Sequence, residues 1–525
     1  MMPLYLSFDV GTSGVKACLC SIKYDKTHPE RSEMEIIAAE NGQYPLYIGE
    51  NGVMEQDADE IFGAIARASR AIAGRKDFDP EDIRAICFCG CLIGSVPVDR
   101  DGRPLCKAFS FLDSRGKVLL DEESSKPFTF KGIPVRKVLR GLRTALLVPA
   151  SSKDFIWRIK WLERYAPELQ KRLYKWLNYK EYFVFRATGR FIMTEDTAFS
   201  TGLYDSRPGR KCFDKKLCGM YGIDPGLFPE VVHSTDIIGG LTEKAAEEMG
   251  LCPGIPAVAG GNDTSVVSVG AGTVAPGDVN IYTGTCGWVS TVTEKRKVDV
   301  SCYMATLTGV QSDSRNLYGQ METAGKALSW ARKLIYGESA GRDLMEEEAA
   351  SVPAGSEAVL FTPWLAGSRA PFSDDGIGAM FYNMHADTSK AVLARSALEG
   401  VCFQFRWMYE CQMKSLKIRS RSIRLCGGAA GSPLFCQILA DILGQQIEVP
   451  AFPQDSGVIG LCCLSAIATG QLDDFSDIAD VVRAEKVYTP DPENRQIYDR
   501  LFTLYKELYK ANKSILNRLN GQDIR

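Results

Sequence analysis

Asp263 is the residue in this chain whose type and surroundings are best suited to chemistry. It follows Gly260-Gly261-Asn262 within the stretch Val258–Cys286, VAGGNDTSVVSVGAGTVAPGDVNIYTGTC. Glycine lacks the Cβ that would block a close backbone approach, so a carboxylate on a glycine-flanked bend can be brought up against a ligand. The competing reading is a turn aspartate that bonds its own backbone. A second glycine turn, Gly284-Thr285, closes the same stretch.

The amino terminus carries a matching feature. Leu4–Val10 and Val15–Cys20 are apolar, partly alternating runs joined by Gly11-Thr12-Ser13-Gly14, which predicts a tight hairpin. Tyr282-Thr283-Gly284-Thr285-Cys286-Gly287-Trp288 repeats the pattern in the second half. Two glycine-hydroxyl hairpins, one per half-chain, point to two related halves. Each would offer backbone N–H and hydroxyl donors to the phosphates of one nucleotide.

The elements that must position these residues alternate between strand and helix. Asp57 is placed to cap a helix, with Glu60 completing a capping box, Ile61, Ile65, Ala68 and Ile72 on one face, and Gly74 at the end. Ile83–Phe88 reads as a buried strand, interrupted at Gly90–Gly94 and resumed at Ser95–Val98; Asp101-Gly102 is a turn. Ala108–Arg115 is an apolar run ending in Asp113 and Arg115. Lys126–Arg143 reads as a loop-rich, solvated basic surface, and helical patterns return at Ile156–Tyr165 and Leu173–Ala187. Two prolines and a glycine in Leu251–Pro256 mark the expected boundary, giving domains 1–254 and 255–525. In the second half Ser389–Glu410 is helical, and Arg424–Gly431 is a strand entering a glycine loop. Ser432 then caps a helix with Pro433 first and Gly444 past its end. A small-residue loop feeding a helix amino terminus suits an anion or a flat base. Glu493–Leu519 closes the chain as an amphipathic helix, able to pack back on the first domain.

Composition bounds the partners. A chain of 525 residues is too long for one core. Its 45% hydrophobic and 24% charged residues are those of an ordinary soluble globular protein. With 62 basic and 65 acidic side chains there is no global field for nucleic acid or anionic lipid. The longest apolar run, Gly457–Ala468, is shorter than a membrane span, and Asp9 interrupts any signal-peptide pattern, so a cytoplasmic location is expected. Seventeen cysteines contain no C-x-x-C pair and only three histidines accompany them. Reduced core thiols are therefore preferred over a soft-metal site at Cys87, Cys89 and Cys91.

Seven segments in order resemble the FGGY carbohydrate kinases, and the xylulokinase branch most. They are Asp9-Val-Gly11-Thr12-Ser13, Gly52-Val-Met-Glu55-Gln56-Asp57, Phe111-Leu-Asp113-Ser-Arg115, Gly261-Asn-Asp263, Gly284-Thr285, Leu398-Glu399-Gly400-Val401 and Gly427-Gly428. The resemblance implies an α/β, actin-like ATPase fold of two ribonuclease-H-like domains with a cleft between them, and ATP with Mg²⁺ as cofactors. It implies that Asp263 is the general base taking the proton from a sugar or polyol hydroxyl, a ketose such as xylulose or a related pentulose. Asp9 would stand near the metal, directly or through water. Gly11, Thr12, Ser13, Gly14, Gly284 and Thr285 would hold phosphates; Gly427 and Gly428 would flank the adenosine, with Gly325 on the nucleotide side. Asp113 would hydrogen-bond sugar hydroxyls. A homodimer is allowed.

Departures from the family pattern bear on the substrate. Where xylulokinases carry Gly-Gln-Met-His-Gly, this chain has Gly90-Cys91-Leu92-Ile93-Gly94, so Ile93 replaces the sugar-binding histidine. Phe111 stands where tryptophan is usual, and Ala429 replaces the third glycine of the adenosine loop. Two alternatives accompany the kinase reading: an actin- or Hsp70-like ATPase driving a partner, and a catalytically altered binding protein on a kinase scaffold.

Overall fold

The computed structural model describes residues 3–311 and 313–521. Two compact units are present. The first comprises Met1–Gly272, Leu307–Arg315 and Gly457–Val481; the second comprises Thr273–Thr306, Asn316–Ser456 and Val482–Arg525. The division falls after Gly272, not after Gly254 as expected from the proline-glycine cluster. The strand Pro256–Asn262 beyond that cluster pairs in parallel with Ile83–Gly90, so it and Asp263 belong to the first unit.

The first unit is built on a six-stranded sheet. Its order is Ile237–Gly240, Pro256–Asn262, Ile83–Gly90, Leu4–Val10, Gly14–Lys23, Glu33–Gln43. Leu4–Val10 and Gly14–Lys23 form the predicted hairpin, with Val10 opposite Val15, while Leu4–Val10 pairs in parallel with Ile83–Gly90. Leu4, Tyr5, Leu6, Phe8 and Val10 are all buried, as expected of a central strand covered on both faces. One cover is the helix Ala58–Ala73, which sinks Ile61, Phe62, Ile65 and Ile72. The other is the helix Ser456–Ala468, the longest apolar run of the sequence; Tyr5 Oη bonds Thr469 Oγ1 just beyond its end at 3.1 Å.

The second unit repeats this arrangement in an eight-stranded sheet. The order is Val298–Asp299, Met304–Thr308, Arg315–Met321, Gly287–Thr293, Asp278–Thr283, Ser422–Gly427, Ile447–Pro450, Ala484–Tyr488. As in the first unit, a hairpin of two antiparallel strands, Asp278–Thr283 and Gly287–Thr293, abuts a parallel neighbour, Ser422–Gly427. The last helix, Pro492–Leu519, belongs to this unit, where Tyr498, Leu501, Phe502 and Tyr505 enter the core. One side of its apolar stripe is taken up by the second unit's own core, while Leu504 and Ile515 on the same helix stay exposed.

Local chemistry explains two further differences. The helical pattern Leu173–Ala187 is split into a strand, Lys175–Leu177, and a helix, Tyr179–Thr188, because Asn178 caps the helix by accepting from Lys180 N. The basic stretch is not all loop, since Val135–Thr144 is helical; Lys126 and Lys137 both pair with Glu123, and Arg140 pairs with Asp214 at 2.5 Å. Asp57 caps Ala58–Ala73 as expected, accepting from Asp59 N at 2.9 Å and Glu60 N at 3.3 Å; the Glu60 carboxylate accepts from Tyr47 Oη. Asp57→Ala should therefore lower unfolding stability by about 1 kcal/mol, read as a shifted denaturant midpoint with unchanged slope.

Candidate functional site

Asp9 sits at the carboxyl end of Leu4–Val10. In register beside it on the parallel neighbour is Cys89, whose thiol donates to Asp9 Oδ1 at 3.0 Å. Across Cys89 in the next strand lies Gly261, followed by Asn262 and Asp263. Asn262 is the N-cap of the helix Asp263–Gly270: its Oδ1 accepts from Ser265 N at 3.1 Å, Thr264 Oγ1 at 2.7 Å and Ser265 Oγ at 3.1 Å. Asp263 is thus the first residue of a helix that leaves the carboxyl end of a parallel strand, a location favoured for ligands in α/β sheets.

Asp263 bonds its own local backbone and is also set in a buried, negatively charged environment. Its Oδ1 accepts from the next residue's amide, Thr264 N, at 2.8 Å, as a turn aspartate would. Its carboxyl is nevertheless pushed up to about 7, first by burial, then by the negative charge of Asp9 and more weakly that of Asp196; the amides of Thr264 and Leu92 oppose the rise without cancelling it. The carboxyl lies deep among protein atoms while part of the side chain remains open to solvent. Burial and the two carboxylates also push up the thiols of Cys89 and Cys91, which therefore stay protonated.

The hairpin Gly11–Gly14 lies at the end of the same strand as Asp9. Tyr44 Oη reaches Gly11 O at 2.6 Å and Gly14 O at 3.1 Å, Gln56 Nε2 donates to Thr12 O at 2.9 Å, and Gly11 N closes the turn on Gly14 O at 2.9 Å. A Cβ on Gly14 would stand 2.7 Å from Gly42 O, so the neighbouring strand requires glycine there. Thr12 is half-buried and Ser13 exposed.

Asp113 does not stand open to a sugar. It has 0% exposure, and its carboxylate accepts from Met54 N at 2.8 Å and from Arg115 Nε and Nη2 at 3.0 and 2.7 Å. Arg115 also pairs with Glu55 at 2.7 Å and is stacked by Phe109 and Trp161. The partners that Asp113 has are structural: this ion-pair network holds Gly52–Gln56 against Phe111–Arg115.

Sequence reasoning missed Arg158. It is wholly buried and donates to the carbonyls of Ile93, Ser110 and Asp113, so one guanidinium fastens the Cys91–Gly94 loop to the Phe111 segment. Ile93 is held at φ +62°, a left-handed conformation that a β-branched residue avoids, and its side chain packs against the apolar cluster containing Phe109, Phe155 and Trp157. An arginine inside the pattern Ile156–Tyr165 carries no sequence signal of this role. Asp196, Thr194 and Lys180 were missed too: Asp196 Oδ2 accepts from Asn262 N at 2.7 Å, Oδ1 accepts from Thr194 Oγ1, and Lys180 Nζ donates to Thr194 Oγ1 at 2.9 Å.

In the second unit five expected residues come together. Gly284 O and Thr285 O accept from Gly325 N and Lys326 N, at 2.9 and 3.2 Å, where the helix Gly325–Tyr336 begins. A Cβ on Gly325 would come within 2.6 Å of Gly284 O. Gly427 (φ +87°) ends its strand beside Thr283, with Thr283 O only 2.4 Å from where a Cβ would be, and Thr283 Oγ1 accepts from Ala429 N at 3.1 Å. Gly428 is exposed, and its carbonyl accepts from Arg342 Nη1 at 2.9 Å, a further residue the sequence did not reveal. The helix Pro433–Leu443, capped by Ser432 and ended by Gly444, follows as expected. No group of three or more His, Cys, Asp or Glu side chains suited to a metal ion occurs among the described residues, and no helix there is long and apolar enough to cross a membrane.

Comparison with known proteins matches both units. A family model described as the FGGY family of carbohydrate kinases, N-terminal domain, covers residues 4–270, and its C-terminal counterpart covers residues 279–469. Among curated relatives, the gluconokinase of Bacillus subtilis is 24% identical over 97% of this chain and 96% of its own length. The probable L-xylulose kinase of Pasteurella multocida is 27% identical over 98% of this chain and 100% of its own. Among solved structures, a ligand-bound xylulose kinase from Lactobacillus acidophilus superposes with a TM-score of 0.85 at 23% identity, covering 99% of this chain and 100% of that one. The gluconate kinase of the same organism gives 0.84 at 23%, with 98% of each chain covered. With both domain models matched and a two-domain, actin-like fold in common with these enzymes, the chain belongs to the FGGY family of carbohydrate kinases.

Proposed function

We propose that this chain transfers the terminal phosphoryl group of ATP to a hydroxyl of an uncharged ketose, a pentulose such as xylulose or a relative of it, with Asp263 as general base. The observation that carries this reading is the Asp263 carboxyl, held to about 7 by burial and by Asp9 at the carboxyl end of the sheet. A base is most effective when its proton affinity lies near the working pH. ATP, when bound, supplies the phosphoryl group, and Mg²⁺ offsets its charge. Magnesium in such enzymes rests on one or two carboxylates plus phosphates and water; Asp9, half-buried beside a second carboxylate, fits that donor set. Gly11, Thr12, Ser13 and Gly14 would take phosphate from the first unit, and Gly284 and Thr285 from the second. Gly427, Gly428 and Gly325 would border the adenosine.

The acceptor class follows from the Cys91–Gly94 loop, whose Leu92 amide bonds Asp263. That loop brings Leu92 up to Asp263 while Ile93 turns into an apolar cluster, and its residues add no cation. An anionic acceptor such as gluconate would be repelled there, and gluconokinases among the relatives make it the comparison to run. Assayed for sugar-dependent ADP release, neutral ketopentoses should exceed gluconate in kcat/KM. Gluconate as the best acceptor would overturn the acceptor class and leave the role of Asp263 standing; no acceptor at all would favour the altered scaffold.

Asp263→Asn should lower kcat by roughly 10²–10⁴ while calorimetric ATP affinity stays near wild type. Wild-type turnover would remove Asp263 from the mechanism. A base must be deprotonated, so kcat/KM of the wild type should rise with pH to a plateau, with one inflection near 7. The same shift has a stability consequence with the opposite sign to a salt bridge. The folded value exceeds the unfolded one, so the ionised carboxylate opposes folding; the cost is absent below about 4 and complete above about 7. Asp263→Asn should therefore raise the melting temperature, and the gain should grow between those two pH values.

A further inference from the structure

The strand that delivers Asp263 is irregular just before it. Pro256–Asn262 pairs with Ile83–Gly90 through Ala257 and Val258, then shifts register before pairing resumes at Gly261. Gly260, inside the shift, has φ +73°, and a Cβ there would stand 2.1 Å from Phe88 O. A bulge of this kind re-aims the residues that follow it. It also leaves backbone groups to be satisfied by something other than the ladder.

The amides of Ala259 and Gly260 donate to Asp236 O and Ser234 O at 2.9 and 3.0 Å, and two buried side chains take further groups, one within the shift and one just after it. Lys180 Nζ donates to Ala259 O at 3.2 Å, and Asp196 Oδ2 accepts from Asn262 N at 2.7 Å. They are joined through Thr194, whose hydroxyl accepts from Lys180 Nζ at 2.9 Å and donates to Asp196 Oδ1. Asp196 Oδ1 also accepts from Thr197 N at 2.9 Å, and the Lys180 charge is met by Glu181 at 2.6 Å. Lys180, Thr194 and Asp196 are all at most 1% exposed. A Cβ on Gly261 would lie 2.3 Å from Val310 Cγ1, 3.0 Å from Val266 Cγ2 and 3.2 Å from Asp196 Oδ2, so only glycine leaves room for all three side chains. Burying a lysine and two carboxylates is costly; here the network is spent on the four residues Ala259–Asn262 that lead into Asp263.

We infer that Asp196, gripped by Lys180 through Thr194, is a positioning residue for catalysis: it fixes the bulge before Asp263 and thereby the place of the Asp263 carboxylate. This rests on the reading of Asp263 as the base. A displacement of about 1 Å costs on the order of 10²-fold in rate. Asp196→Ala should lower kcat by that order with the KM of ATP and of the acceptor little changed. Asp196→Asn keeps an oxygen for Asn262 N and should restore most of the rate.

A double-mutant cycle with Asp263→Asn separates positioning from general damage. A group that acts only through Asp263 has nothing further to lose once that carboxylate is gone, so Asp196→Ala should leave the residual rate of Asp263→Asn unchanged. The cycle is repeated with Thr194→Val, which cuts the link to Lys180 without removing a charge and should reduce kcat in the wild-type background alone. Wild-type kcat for both single variants, or equal fractional losses in the two backgrounds, would overturn the inference; if Asp196→Ala does not fold, the Thr194→Val cycle alone decides. High activity in Asp263→Asn itself would instead overturn the base assignment on which the inference stands.

Discussion

Burial of Asp263 beside the negative charge of Asp9 is the constraint on which the carboxyl end of the first sheet depends. Each carboxylate is placed by a strand flanking Ile83–Gly90, and each raises the cost of ionising the other. Such a pair is unfavourable for folding alone. It persists because the surroundings over-determine it: the Cys89 thiol donates to Asp9, the Thr264 and Leu92 amides face Asp263, and buried networks fix the backbone beneath. A Mg²⁺ ion held at Asp9 would relieve the same repulsion. Local destabilisation of the free protein is then the counterpart of ligand binding.

The two units meet one requirement by different means. A hairpin that is to present amides and hydroxyls to phosphate must have its own carbonyls occupied, because a carbonyl facing a phosphate oxygen repels it. In the first unit Tyr44 and Gln56 take the carbonyls of Gly11, Thr12 and Gly14. In the second the start of the helix Gly325–Tyr336 takes those of Gly284 and Thr285. The tether differs, side chains in one and helix amides in the other, while the strand order around the hairpin is shared.

What the sequence disclosed was what short segments determine by themselves. Leu4–Val10 and its hairpin, the Asp57 cap, the run from Arg424 through the Ser432 cap to Gly444, and the terminal helix were legible, because periodicity, capping residues and glycines act within a few positions. The boundary was misplaced because proline and glycine mark a turn, and a turn between two elements of one unit looks the same as a linker; only the pairing of Pro256–Asn262 with Ile83–Gly90 distinguishes them. Asp263 was legible as a carboxylate near glycines but not as the first residue of a helix, although Asn262 with Ser265 three positions on is a capping pattern. Arg158, Lys180 and Asp196 were invisible since each acts on backbone far away in sequence, where no local pattern records the contact.

The hydrogen bonds of Asp113 likewise lie outside what its motif records. An aspartate in a motif shared with sugar kinases invites a sugar contact, yet its oxygens are taken by Met54 N and Arg115. What that network determines is the path of the backbone from Ser110 to Asp113, which Arg158 then ties to Ile93. A left-handed isoleucine costs on the order of 1–3 kcal/mol and needs such a brace to persist. With Ile93 turned into the apolar cluster, Leu92 is left to offer its amide to Asp263. Ile93 therefore anchors the loop from the apolar side and fixes the amide that faces Asp263.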